Sequence, residues 1–159
     1  MEAPVGGMQG KNLNSPDETR SFDHGKMDVV ELGNVTVGRA TFEPGWRWSE
    51  HVKPIAGTDS CLVPHVGCII SGRLVIAMDD GTEQEFGPDE AFVIPPGHDG
   101  WVVGDEPCIA LDFAGADEYA KGREAEPPKP NFLSRGPLSG ASTFTFRRLT
   151  RRSGRLALF

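Results

Sequence analysis

The sequence predicts an all-β chain, an antiparallel barrel or sandwich of short strands. Two features of the pattern predict it. Short β-rich runs recur from Phe22 onward between turn signals, and no helical period of apolar residues separates them. Composition agrees: 20 Gly and 13 Pro in 159 residues supply many turns, and the 38% of hydrophobic residues reaches an ordinary globular level once Gly is counted with them. A chain of this length makes one domain, because two would each be small for a stable core.

The elements follow in order. Residues 1–20 are polar and aperiodic and read as a flexible N-terminal arm, in which Met8 is an alternative start. The domain proper is placed at 21–120. Its runs are MDVVELG, NVTVGRATFEPG, GWRWSEHVKP, HVGCIISG, RLVIAMDDG, TEQEFGP, DEAFVIPPG, HDGWVVGDEP and CIALDFAG. Within the second run Val35, Val37 and Arg39 alternate with Thr36, Gly38 and Ala40, the period-two signature of a strand. Asp79-Asp80-Gly81 belongs to the Asp-Gly hairpin class, and 86–90 and 104–107 are further turns. The one plausible helical piece is a short turn at GADEYAKG. Residues 121–159 read as a Pro/Gly-rich basic tail. STFTFRRLT within it alternates and is a candidate edge strand, and the alternative to a flexible tail is an arm packing on a partner subunit. Removal of 127–159 is expected to leave the barrel folded, since that stretch carries no periodic apolar face.

Charge and cysteine content restrict the function classes. Nine of the 16 Lys and Arg but only two of the 23 Asp and Glu fall in 121–159, leaving seven basic against 21 acidic residues in 1–120. So acidic a body argues against nucleic acid as the main partner. No run approaches the roughly 18 apolar residues that span a bilayer, and no basic-then-apolar leader is visible, so neither membrane nor secretion is expected. Cys61, Cys68 and Cys108 are an odd set with no CxxC pair, which suits a reducing cytoplasm with thiols buried or one serving as a ligand.

Over residues 35–114 the motifs resemble the cupin superfamily. Ser71-Gly72-Arg73 matches the family's Gly-initiated hairpin, and Gly87, the run Asp89 to Ile94 and the turn Pro95-Pro96-Gly97 match its second motif, with a longer spacing from Gly87 to Pro95. More narrowly, GWRWSEHVKPIAGTDSC, PHVGCIISGR and PPGHDGWVVGDEP are similar to a group of small, mostly uncharacterised cupin-domain proteins. The resemblance implies a cupin-type antiparallel β-barrel (jelly roll), closed or nearly closed, pairing as a homodimer. It also implies a metal pocket that this chain alters. Counting back from Gly72 puts His65 at the family's Glu position and Asp59 and Cys61 at its two His positions. The second-motif His position falls on Gly100, with His98 two residues earlier.

Four His are present, and His24 lies near the arm while His51, His65 and His98 fall in the motif segments. Alternate barrel residues face inward, so an inward His65 takes Gly67 and Ile69 with it, and His98 shares parity with Gly100. His51 is placed on a preceding strand from which it approaches the other two. Glu50, on the opposite face of that strand, becomes a ligand only across a bulge. The metal candidates are therefore His51, His65, His98 and Glu50, for a divalent transition metal such as Zn, Fe, Ni or Cu. The pocket candidates are Cys61, Trp48, Gly67 and Ile69. The plain alternative is that these His bond loop carbonyls or line an empty pocket. Trp46, Trp48 and Trp101 either stack an aromatic ligand or fill a core or a dimer interface. Phosphate-loop, HExxH, dinucleotide and nucleophile-elbow patterns are missing.

Two functions remain. One is a metal-dependent enzyme on a small polar or aromatic metabolite, an isomerase, cyclase, lyase or dioxygenase with its catalytic residues open. The other is a non-catalytic, metal-free binder of a small-molecule ligand.

Overall fold

The computed structural model describes residues 7–122. The readings made for the tail beyond Gly122, its edge strand at STFTFRRLT included, lie outside the described residues. Among those described, the strands are β1 (Glu18–Phe22), β2 (Gly25–Leu32), β3 (Val35–Phe42), β4 (His65–Ser71), β5 (Leu74–Met78), β6 (Glu83–Phe86), β7 (Ala91–Ile94), β8 (His98–Val102) and β9 (Cys108–Asp112). They form a six-stranded antiparallel sheet in the order β1-β2-β3-β9-β4-β7 and a three-stranded one in the order β6-β5-β8. This is an all-β jelly roll. Continuous pairing does not close it into a barrel: the sheets stay separate and share one apolar core, with the isolated bridge Cys61↔His98 reaching from the β8 edge to the loop before β4.

Alternation builds the core. Along β4, His65, Gly67 and Ile69 are buried while Val66 and Ile70 are exposed; along β8, His98, Gly100 and Val102 are buried; along β9, Cys108, Ala110 and Asp112 are. The turns at 79–81 and 104–107 carry Gly81 and Gly104 at positive φ, as tight turns require. Gly67 has a different reason to be glycine. A Cβ there would lie 1.8 Å from the Leu111 carbonyl oxygen, so β4 and β9 approach too closely for any side chain.

Two expectations need correction. GWRWSEHVKP is not a strand: it forms two single-turn helices, α1 (Trp48–His51) and α2 (Lys53–Ala56), ending at Gly57 in the left-handed conformation. Its Trp and Val content favours strand locally, but Asp99 of β8 overrides it. The Asp99 carboxylate accepts from the Ser49 backbone N–H at 3.0 Å and from Arg47 Nε at 3.0 Å, satisfying a donor that the first turn leaves open. The arm also ends earlier than expected, because β1 starts at Glu18. Arg20 is buried there, donating to the carbonyls of Ala116 (2.6 Å) and Tyr119 (2.8 Å) and pairing with Glu18, so it fastens the 115–122 turn to the sheet.

Trp46 and Trp48 are 3% and 2% exposed, inside this chain's own core, and thus do not furnish an interface between copies. Trp101 faces outward under the Arg47 guanidinium, 4.5 Å from its ring centre. None of the helices among the described residues is long and apolar enough to cross a membrane.

Candidate functional site

The inner ends of β4, β8 and β9 bring four polar side chains together within an apolar core. His65 opens β4, His98 opens β8, Asp112 closes β9, and Cys61 stands in the loop before β4, held by backbone bonds to His98 and Gly97. All four are buried. The His65 and His98 rings meet edge to face with centres 5.4 Å apart.

Each imidazole is oriented by its outer nitrogen. His65 Nδ1–H donates to Asp112 Oδ2 at 2.5 Å, and His98 Nδ1–H donates to the Pro95 carbonyl at 2.7 Å. A carbonyl only accepts, so the His98 tautomer is settled and its Nε2 carries a free lone pair. His65 Nε2 lies 3.7 Å from Cys61 Sγ. One ligand atom each from Cys61, His65 and His98 fall within 4.8 Å of one another. A tetrahedral metal with ordinary Zn–S and Zn–N bonds sets S and N roughly 3.5 Å apart, close to the spacing here. Ligating histidines also characteristically donate their other nitrogen to a carboxylate or carbonyl. The donor set therefore fits a transition metal, with room for a fourth ligand.

The electrostatics of the cluster are coupled. Burial pushes the Cys61 thiol up, but hydrogen bonding and charge from His65 and His98 outweigh that and bring it down to about 6. Burial likewise opposes a charged His65, yet its bond to Asp112 and its contact with Cys61 raise it to about 9. Asp112, despite burial, is held below the usual carboxylate range by His65 and by the N–H groups of Gly115 and Ala114. Cys108 shows the contrast: burial alone pushes it up to about 12, leaving an inert thiol.

A cavity of about 50 Å³ adjoins the cluster, walled by His65, His98 and Asp112 and by Met27, Phe42, Trp46, Trp48, Ile76, Phe92 and Tyr119. Of the pocket candidates Trp48 lines it. Cys61 lines a neighbouring pocket that shares Trp48 and Tyr119. Gly67 and Ile69 face inward but pack between strands rather than line either space.

His51 and Glu50 do not join His65 and His98. With α1 in place of a strand, His51 turns back on its own segment: its Nδ1 accepts the Arg47 N–H at 2.9 Å, and its ring stacks on His24 with centres 4.5 Å apart. That bond spends the Nδ1 lone pair and puts the proton on Nε2, which faces Asp23 at 3.8 Å. The surface group Asp23, His24 and His51 is thus close-set but has the wrong tautomer at His51 for ligation. Glu50 is exposed. Asp112 and Tyr119 were not among the sequence candidates. For Asp112 a signal existed, since the alternation Cys108, Ala110, Asp112 sends a carboxylate inward at the end of the last strand.

No family model matches the chain, and no curated protein matches it either. Solved structures do. A structural-genomics protein of unknown function from Rhizobium leguminosarum bv. viciae 3841 is 21% identical, covering 68% of this chain and 96% of its own, with a TM-score of 0.51. The Schizosaccharomyces pombe Cnp3 cupin domain is 18% identical, over 67% of this chain and 73% of its own, at 0.47. A protein of unknown function from Acinetobacter sp. ADP1 is 14% identical, over 62% and 90%, at 0.46. The first of these likenesses speaks for the fold.

Proposed function

We propose that this chain, a cupin-fold protein, is a metal-dependent enzyme acting on a small molecule, with Cys61, His65 and His98 as the metal ligands. The observation that carries the reading is the convergence of Cys61 Sγ and two imidazole nitrogens whose outer nitrogens are already engaged. Thiolate with two imidazoles suits Zn, Fe, Ni or Cu, and three protein ligands leave a position open, the arrangement of catalytic rather than structural sites. When bound, such a metal supplies Lewis-acid polarisation of an oxygen on a small ligand, the need shared by isomerase, cyclase, lyase and dioxygenase chemistry.

The chain's own residues prepare that site. Asp112 orients His65 and offsets its charge when the ring is protonated. Pro95 fixes the His98 ring through its carbonyl. Phe42 and Trp46, stacked at 3.9 Å, help seal the cavity against water.

Metal content of the purified protein, and its uptake of zinc, iron and nickel after chelation, tests the reading. About one equivalent per chain is expected, lost in Cys61→Ala and His65→Ala and kept in His24→Ala. Protein that holds none, takes none up and melts identically with a chelator has a plain ligand cavity instead.

A further inference from the structure

The cavity wall carries an excess of hydrogen-bond donors. Trp46 Nε1, Trp48 Nε1 and Tyr119 Oη are all buried, and none reaches an acceptor among the described residues. Their residues are 3%, 2% and 4% exposed, and all three line the cavity beside His65 and His98. Buried indole N–H and phenol O–H groups ordinarily find a partner, and each left unpaired is costly. Three around one small cavity are therefore an unmet demand for acceptors.

The wall offers little to a ligand that donates. Asp112 is the one carboxylate among the lining residues, and both its oxygens are engaged: Oδ2 by His65, Oδ1 by the N–H groups of Ala114 and Gly115. An amine entering here would be desolvated without an acceptor to receive its protons. A single alcohol or ketone oxygen has too few lone pairs for three donors, whereas a carboxylate accepts about four hydrogen bonds. The lining contains neither Lys nor Arg, so the ligand's negative charge is met by the metal cation proposed above, and to that extent the inference rests on that reading. Size is the last restriction. A cavity of about 50 Å³ has room for a handful of water-sized atoms, at roughly 10–15 Å³ each.

We propose that the cavity takes a short-chain monocarboxylate, its oxygens shared between the metal and the donors of Trp46, Trp48 and Tyr119. The apolar remainder of the wall, Ile76, Phe92 and Ile94 included, receives the alkyl end. Burial, then the charges of Cys61 and Asp112, push the Tyr119 hydroxyl well above its ordinary value, so it stays a donor.

Full-length metal-loaded protein is titrated with acetate, propionate and pyruvate, and with propylamine and hexanoate as controls, following tryptophan fluorescence and heat. Saturable binding of the three small carboxylates is expected, with none of propylamine and weaker binding of hexanoate. Tyr119→Phe keeps the ring and removes one donor; it weakens propionate about tenfold or more while leaving the ligand-free melting temperature unchanged or raised. Trp48→Phe is the second variant and acts in the same direction. No saturable carboxylate binding by the metal-loaded protein, or equal affinity in both variants, overturns the inference and leaves the metal reading standing. Metal content is measured on every sample. Protein free of metal that still binds propionate through Tyr119 and Trp48 overturns the metal reading and leaves this one standing.

Discussion

Asp112 Oδ2 lies 2.5 Å from His65 Nδ1, buried, with the far nitrogen of the same ring 3.7 Å from Cys61 Sγ. One carboxylate at the end of β9 thus sets both the direction and the basicity of an imidazole that a thiol meets on its other side.

Asp112→Asn tests that link. The amide keeps the shape and an acceptor for Ala114 and Gly115 but loses the charge that favours a protonated or metal-directed ring. Metal affinity, read by competition with a chromophoric chelator, is expected to fall about 10–100-fold. An unchanged affinity would detach Asp112 from the site.

The metal-free protein should carry a thiolate at neutral pH. With Cys61 lowered to about 6, thiolate ultraviolet absorbance titrates near that value rather than near the ordinary thiol range, and Cys61→Ala removes the transition. Cys108, pushed up to about 12, does not contribute near neutrality.

Stability of the metal-free protein follows from the same two groups. His65 is raised, so its contribution is full below the ordinary imidazole value and is lost as pH rises through about 9. Cys61 is lowered, so its contribution is full above the ordinary thiol value and is lost as pH falls through about 6. The melting temperature should therefore fall on both sides of a window between about 6 and 9, and Cys61→Ala should flatten the acid limb. Inside that window metal binding displaces the His65 proton, so weakly buffered titrations should release about one proton per metal.

His51→Ala separates structure from ligation. It removes the acceptor for the Arg47 N–H and the stacking partner of His24, costing about 1 kcal/mol. Metal stoichiometry should not change, in contrast to His65→Ala. Loss of metal in His51→Ala would mean that α1 rearranges to bring the ring into the core.

Gly67→Ala should be among the most damaging single changes. Its Cβ would strike the backbone oxygen of Leu111, which no side-chain rotation relieves. A loss of about 3 kcal/mol or more is expected in urea unfolding.

What the sequence by itself determined is what depends on neighbours along the chain. Strand rhythm, the Asp-Gly and Pro-Gly turns and the period-two alternation are local, and they suffice for an all-β fold and for the inward parity along β4 and β8, where His65 and His98 lie. Tertiary structure decided the rest. Whether GWRWSEHVKP is strand or helix turned on Asp99, some fifty residues away, whose carboxylate caps the first turn and so removes His51 from the core. Which groups meet His65 turned on strand order. β9 pairs beside β4 and delivers Asp112, while the bridge between Cys61 and His98 brings the thiol to the other side of the ring. Contacts of this kind join residues far apart in sequence through burial and hydrogen-bond satisfaction, and no local pattern encodes them.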